Sequence, residues 1–293
     1  MNTAPSAALT SLSSRLADSY PFAKVQAGIN KNVKRLDLIA QLGAHPAVAA
    51  AIAELRAGAK RSRVQLIVVA TGREAEDTAA ALRAMDPTAE VLDLPSWETL
   101  PHERLSPSAE TVGKRLRTLH RLGELAGAAA AALDHNVYVI CSVRAALQPV
   151  VAGLAEHPPI RLAKGSEYFL PELNLKLVEK AYHRVDMVTK RGEFAVRGGI
   201  VDIFPTTSEH AVRLEFFGDE LEEIRQFSVT DQRTLTELPD HGRLASVVIY
   251  PAREIVITPQ VAQRARQMLH EFPNLSTMLA KIAEGIPVDG MES

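Results

Sequence analysis

The sequence predicts an α/β protein in which a parallel sheet with flanking helices carries an inserted α+β module. Three apolar runs of strand length each precede a helical segment, with strands at 65–70, 91–94 and 136–141 and helices at 74–85, 108–122 and 143–154. Such alternation is typical of βαβ units in a parallel sheet. Pro158 and Pro159 interrupt the pattern, because proline lacks a backbone donor. The segment 191–235 beyond them reads as consecutive antiparallel strands.

Gly198-Gly199 lies between two strand-like runs and predicts a two-residue hairpin turn, since both central residues of such a turn need positive φ. The turn fixes a register that pairs four apolar residues on one buried face: Phe194 with Ile203, and Val196 with Val201. Arg197 and Asp202 then lie on the other face, because alternate residues of a strand point to opposite sides.

The next strand, 212–217, alternates in the same way. Its inward residues are Val212, Leu214 and Phe216, and its outward residues are Arg213, Glu215 and Phe217. An aromatic ring among charged side chains is typical of a protein-binding hot spot. The simpler interpretation, which the spacing alone favours, is that the ring of Phe217 is covered by a loop and that the charged side chains of Arg213 and Glu215 are solvated.

The flanking segments complete the prediction. A helical turn begins at Leu12, and further elements are expected as a short strand at 36–40, an alanine-rich helix at 47–57, a helix at 170–181, a strand at 246–250, and helices at 259–272 and 275–284.

Composition restricts the function. The 293 residues are 46% hydrophobic and 23% charged, with a formal net charge of −2, so no basic excess favours nucleic-acid binding. The single cysteine, Cys141, lies in an apolar run and is expected to be buried, which fits a cytoplasmic protein without disulfides. No apolar stretch reaches the roughly 18 residues of a membrane span, and the first residues lack the pattern of a signal peptide.

The sequence carries no motif for catalysis, a cofactor or a metal. A phosphate-binding loop needs G-x-x-x-x-G-K-[ST] between a strand and a helix. The segment 41–47, which we take as the corresponding stretch, has one glycine and no lysine. The turn 71–74 precedes a helix, but an N-cap explains it. The histidines show neither HExxH nor the spacing of a metal site. We therefore expect no catalytic activity, no cofactor and no metal.

Several segments resemble the module shared by the nucleotide-excision-repair protein UvrB and the bacterial transcription-repair coupling factors (Mfd). They are RGEFAVRGGIVDIFP at 191–205, VRLEFFGDELEEIRQF at 212–227 and DQRTL at 231–235. LPSWETLPHERLSPSAETVGKRLRTL at 94–119 and MLAKIAEGIPVDGMES at 278–293 are similar to the coupling factors more than to UvrB. The resemblance covers about 64–293 and points to the N-terminal module of the actinobacterial branch.

The resemblance implies a division into three parts. Residues 1–158 would form a UvrB-like domain 1a, a degenerate RecA-like, P-loop-NTPase-like motor lobe without a Walker A loop. Residues 159–241 would form a UvrB-like domain 2, and 242–293 a domain 1b that completes domain 1. The implied function is that of a non-catalytic adaptor that recruits UvrA in transcription-coupled nucleotide excision repair. Full-length family members use later domains for RNA polymerase, DNA and an active motor, so we expect this chain to be a fragment.

The resemblance also implies the residues that bind UvrA: Arg184, Arg197, Arg213, Glu215 and Phe217. Arg197 comes from the RGG turn, and Arg184 from a Y-x-R-x-D segment at which coupling factors differ. UvrB has a further arginine where this chain has Ala195, so one contact is missing. The simpler interpretation of Arg197 and Glu215 is an ion pair within the chain, worth about 0–1 kcal/mol.

Two other functions remain open from the sequence. A UvrB-like protein that uses ATP to load onto damaged DNA would need a phosphate loop and a second motor lobe. Direct nucleic-acid binding would depend on a basic strip formed by Arg61, Arg63, Lys114, Arg115, Arg117 and Arg121. The segment 159–241 holds more acidic than basic residues, which favours a protein partner over a phosphate backbone.

Overall fold

The computed structural model describes residues 7–60, 62–100, 103, 105–126, 133–150, 154 and 157–291. The chain forms two compact units. The first comprises Met1–Ser96 and Thr118–Pro149, and the second comprises Trp97–Arg117 and Val150–Ser293. The domain boundaries predicted at 158/159 and 241/242 do not coincide with the limits of these two units, and they remain predictions.

The first unit contains three strands and most of the N-terminal helices. Its elements are α1 (Ala7–Thr10), α2 (Leu12–Ala17), α3 (Tyr20–Asn30), α4 (His45–Gly58), β1 (Val64–Val69), α5 (Gly72–Met85), β2 (Glu90–Leu94), β3 (Val137–Ser142) and α7 (Val143–Leu147). Helix α6 (Ala109–Glu124) contributes its residues from Thr118 onward.

The three strands form a parallel sheet in the order β1-β3-β2, which confirms the predicted βαβ units. All six residues of β3, including Cys141, are buried, and this burial raises the pKa of the Cys141 thiol. The continuous apolar run 65–70 is typical of a strand buried on both faces, but β1 is not buried in this way. Leu66 and Val68, which point to the same face of β1, are 63% and 45% exposed, so this face is not covered by described residues.

Two further predictions in this unit need correction. The expected strand at 36–40 is wrong, since this stretch pairs with no strand among the described residues and Ile39 is fully exposed. The expected helix 143–154 ends at Leu147. Gln148 precedes Pro149, and the residue before a proline is driven out of the helical region; its ψ is 144°. Residues 151–153 of that prediction lie outside the described residues.

The second unit contains the hairpins and the C-terminal helices. Its elements are β4 (Ile160–Ala163), α8 (Leu170–Glu179), β5 (His183–Arg184), β6 (Glu193–Arg197), β7 (Ile200–Ile203), β8 (Ala211–Phe217), β9 (Glu220–Phe227), β10 (Ser246–Ile249), α9 (Pro259–Met268) and α10 (Ser276–Ala283). Strand β10 pairs with β4, which the sequence did not predict.

Five strands form one sheet in the order β5-β6-β7-β8-β9. The predicted hairpin register is confirmed: Phe194 pairs with Ile203 and Val196 with Val201. Three of these side chains are fully buried in a cluster with residues of α8: Phe194, Val201 and Ile203. Burying a large apolar side chain stabilises the fold by about 1.5–3 kcal/mol, so this inner face is the main core of the unit.

The hairpin turn differs from the prediction in one detail. Gly198 has a positive φ of 60°, as the turn requires, but Gly199 does not lie in the left-handed region. Gly199 is needed for a different reason, since a Cβ there would lie 2.8 Å from the carbonyl oxygen of Phe216. Gly198 is thus needed for the backbone conformation of the turn, and Gly199 is needed for the close approach of the backbone at Phe216.

Helix α6 packs closely at Gly113, and we expect Gly113→Ala to lower the free energy of unfolding by about 1–3 kcal/mol. A Cβ at this position would lie 2.5 Å from the side chain of Thr206 and 2.9 Å from its backbone carbonyl carbon, so the backbone itself must shift. Urea titration of both proteins measures the difference.

Gly123 of the same helix is the matched control, since a Cβ there meets nothing within 4 Å. Gly123→Ala is expected to be neutral or to stabilise by up to ~1 kcal/mol. Equal effects of the two substitutions would contradict the close contact at Gly113.

Candidate protein-binding site

The side of the five-stranded sheet opposite the core carries the predicted binding residues, and we term it the outer face. Two cross-strand rows define it: Ala195, Asp202, Arg213 and Arg225 in one, and Arg197, Ile200, Glu215 and Glu223 in the other. Phe217 follows Glu215 by two residues on β8 and continues the same face. Alternation therefore predicted the sides correctly for Arg197, Arg213, Glu215 and Phe217.

Arg213 is held within the chain. Its Nε donates to Oδ1 of Asp202 at 2.7 Å and its Nη2 donates to Oδ2 at 2.8 Å. The guanidinium also lies 4.9 Å from the ring centroid of Phe227. The hydrogen bonds to Asp202 raise the pKa of Arg213, and partial burial opposes this rise.

Asp202 explains why this pair forms. Its side chain is only 4% exposed, and a buried carboxylate is costly unless a cation compensates it. Two nitrogens of the Arg213 guanidinium are therefore already bonded within the chain. The sequence placed Asp202 on this face, but its burial and its pairing with Arg213 were not predicted.

Glu215 is also paired within the face. It accepts from Nη2 of Arg225 at 2.8 Å, and the same nitrogen lies 2.9 Å from Glu223, which in turn accepts from Arg243 at 2.6 Å. The alternative Arg197–Glu215 ion pair is wrong, because Arg197 instead donates to the backbone carbonyl of Asp186. The charged groups thus form an ordered network.

Phe217 is 75% exposed, so the interpretation that it tucks under a loop is wrong. Ile200 is 38% exposed and pairs with Glu215 across the strands, which makes it a diagonal neighbour of Phe217 on the same face. Together these two residues form the apolar anchor. Ile200 was missed as a site residue, although its spacing from Asp202 already assigned it to the outer face.

Arg184 is exposed on β5, but the structure does not bring it to the outer face. It pairs in register with Phe194, whose side chain points into the core. Residues paired across neighbouring strands share a face. Arg184 therefore lies on the side opposite Arg197, Arg213, Glu215 and Phe217.

Three of the six residues of the basic strip expected for nucleic-acid binding are paired with carboxylates of the chain. Arg115 is fully buried and paired with Glu254, Arg121 is paired with Glu90 and Glu124, and Lys114 is paired with Glu110. Arg61 lies outside the described residues. Paired and buried cations contribute little to the attraction of a phosphate backbone.

The segment 41–47, taken from the sequence as the counterpart of a phosphate loop, does not connect a strand to a helix in the described chain. Segment 41–47 follows no strand, whereas the turn 70–72 connects β1 directly to α5. There Oγ1 of Thr71 accepts from the backbone nitrogen of Glu74 at 3.1 Å, and Glu74 accepts in return from the backbone nitrogen of Ala70 at 3.1 Å. The bond from Glu74 to Thr71 confirms the predicted N-cap.

The described residues offer neither a metal site nor a membrane span. No three of their His, Cys, Asp or Glu side chains come together in a way that could hold a metal ion. Within the same part of the chain, every helix is too short or too polar to cross a membrane.

Comparison with known proteins gives consistent matches. The profile of the UvrB interaction domain matches residues 160–255, which include the whole outer face. The transcription-repair-coupling factor of Mycobacterium tuberculosis is 48% identical over 266 residues, which cover 88% of this chain and 20% of the relative. That of Myxococcus xanthus is 33% identical over 246 residues, covering 78% of this chain and 19% of the relative.

A UvrB protein is also similar. The UvrABC system protein B of Listeria monocytogenes is 37% identical over 107 residues, which cover 36% of this chain and 15% of the relative. The chain spans about a fifth of the length of the coupling factors that it matches.

Proposed function

We propose that the outer face of this chain recruits UvrA, because residues 160–255 match the profile of the UvrB interaction domain and the chain is similar to the transcription-repair-coupling factors. The module would act as a non-catalytic adaptor in the bacterial cytoplasm. RNA polymerase and DNA would be bound by other parts of the full-length protein. Recruitment of UvrA would then couple a stalled polymerase to nucleotide excision repair.

The observation that carries this proposal is the apolar anchor formed by Phe217 and Ile200. An aromatic side chain that is 75% exposed gains free energy when a partner covers it. The strands below it are fixed by the Arg213–Asp202 and Arg225–Glu215 pairs. Because these side chains are already ordered, association costs less conformational entropy.

The remaining candidate residues would have different tasks. Arg197 is exposed beside Ile200 and could donate to an acceptor on UvrA. Arg213 and Glu215 would position the face through their partners in the chain. Arg184 lies on the opposite side of the sheet and would take part only if UvrA reaches around the β5 edge.

Phe217→Ala is expected to weaken UvrA binding at least about 30-fold, because truncating an aromatic hot spot costs about 2 kcal/mol or more. Biolayer interferometry with immobilised chain and purified UvrA measures the change. Ile200→Ala should weaken binding to a smaller extent, since its side chain offers less exposed area.

Phe272→Ala is the matched control, because Phe272 is 45% exposed but follows α9, outside the five-stranded sheet. It should bind UvrA like the wild type. All three variants should keep the wild-type thermal unfolding curve. Unchanged binding by Phe217→Ala at unchanged stability would refute the assignment of this face.

A further inference from the structure

A second candidate surface lies in the first unit, on helix α3. One side of this helix packs on α4 through three buried apolar residues: Phe22, Val25 and Ile29. The opposite side carries four exposed residues at a spacing of four, three and four positions, which keeps them in line along the helix: Tyr20, Lys24, Ala27 and Lys31. We term these four residues the α3 stripe.

The α3 stripe lies in a stretch of the chain with one sign of charge. Residues 19–36 include four basic residues and no acidic residue, which the overall net charge of −2 does not reflect. One of the four, Arg35, forms an ion pair with Asp37 at 2.9 Å. The ammonium groups of the other three make no ion pair or hydrogen bond with a described residue: Lys24, Lys31 and Lys34.

The lysines of this stripe differ from a lysine on another helix of the chain. Lys114 of α6 pairs with Glu110, one turn earlier on the same helix, at 2.7 Å. On α3 the residue four positions before Lys24 is Tyr20, and the residue four positions before Lys31 is an alanine. A solvated helix face usually mixes both signs of charge. A line of cations without acidic partners therefore favours a polyanionic ligand.

The last lysine of the stripe is held by the end of the helix. Asn32 has a φ of 53°, and the backbone nitrogens of Asn32 and Val33 each donate back into the last turn at 3.1 Å. These two bonds form a Schellman motif, which fixes Lys31 at the C-cap in line with Lys24. The helix dipole alone would account for a cation at Lys31, but it does not account for Lys24 in the middle of the helix.

Tyr20 adds an aromatic surface to these charges. Its side chain is 88% exposed, more than the 75% of Phe217, and it lies one turn before Lys24. Aromatic rings beside cations are typical of sites for single-stranded nucleic acid, because bases stack on the ring while the cations contact the phosphates. A duplex has no free base faces to offer, and an acidic peptide has no base to stack.

We propose that the α3 stripe binds single-stranded nucleic acid, with a base stacked on Tyr20 and phosphates beside Lys24 and Lys31. The stripe is about 16 Å long at 1.5 Å per residue, so it covers only a few nucleotides. Lys34 follows directly and supplies a third charge. This contact is independent of the outer face, which lies in the other unit.

Fluorescence anisotropy with labelled oligothymidine and oligouridine tests the assignment on the complete chain. Binding of either probe supports it, and the tighter probe identifies the nucleic acid. The logarithm of the binding constant should fall with the logarithm of salt concentration at a slope of about −2, since each of three lysines contributes about −0.7. Tyr20→Ala is expected to weaken binding about tenfold at an unchanged slope. Replacing Lys24 and Lys31 together by glutamine should reduce the slope to about −0.7.

Matched controls remove the same groups elsewhere. Phe272→Ala removes an exposed ring, and replacing Lys164 and Lys281 by glutamine removes two exposed lysines, all in the second unit. Both control proteins should bind the oligonucleotides like the wild type. Tyr20→Ala should keep the wild-type unfolding curve, because its side chain is exposed. Absence of binding at low ionic strength, unchanged affinity of Tyr20→Ala, or equal affinity of the wild type for a polyglutamate peptide or a duplex would overturn the proposal.

Discussion

Replacing Arg115 with methionine is expected to lower the free energy of unfolding of the second unit by about 3–5 kcal/mol, the usual cost of removing one partner from a buried ion pair. The side chains of Arg115 and Glu254 are 0% and 1% exposed. Nε1 of Trp97 also donates to Glu254 at 2.8 Å, and the guanidinium lies 5.2 Å from the centre of the Trp97 ring. Without Arg115, the Glu254 carboxylate would remain buried with too few compensating groups.

Trp97 makes this measurement direct. It is the only tryptophan in the chain and belongs to the network, so its fluorescence reports the unfolding of this unit in urea. Arg117→Met is the matched control, because Arg117 lies two residues further along α6 and is half-buried. Its effect should stay within about 0.5 kcal/mol.

A double variant tests the cause. Replacing Arg115 and Glu254 together by methionine removes both buried charges, and stability should recover most of the loss. If Arg115→Met alone costs less than about 1 kcal/mol, the pair contributes little.

Replacing Arg213 with alanine is expected to lower the free energy of unfolding by about 2–3 kcal/mol. The cost lies below that of Arg115 because the Arg213 side chain is 23% exposed and solvent can partly replace it. The loss arises from Asp202, which would be left buried without its two hydrogen bonds. Thermal unfolding and UvrA binding should both be measured.

Two further variants separate a positioning role from direct contact. Arg213→Lys should recover little stability, because an ammonium group cannot reproduce the two parallel hydrogen bonds to Asp202. Phe217→Ala should lose UvrA binding without losing stability. If Arg213→Ala keeps wild-type stability and still fails to bind UvrA, Arg213 acts through direct contact with the partner.

The hairpin could be predicted because its signals are local. Two adjacent glycines fix the turn, and the side-chain period of two then assigns every residue of β6 and β7 to a face. The same period identified the outward residues of β8. The pairing of Asp202 with Arg213 depends in addition on the register between β7 and β8, which the loop 204–210 sets and the sequence does not specify.

Long-range pairing explains the larger errors. Arg115 lies among basic residues of an amphipathic helix, which is typical of a solvated face, but its partner is 139 residues away in the sequence. Segment 36–40 has the composition of a strand, yet no described strand pairs with it. The early end of α7 had a local signal in Gln148-Pro149, and the predicted helix wrongly continued past it.

The network of ion pairs on the outer face has a consequence for the kinetics of association. Arg213, Arg225 and Arg243 each lie within 3 Å of a carboxylate of the same face, so their fields largely cancel at a distance. Long-range steering by charge therefore contributes little to the encounter with a partner. Association through this face should proceed at a rate that changes only weakly between low and high ionic strength.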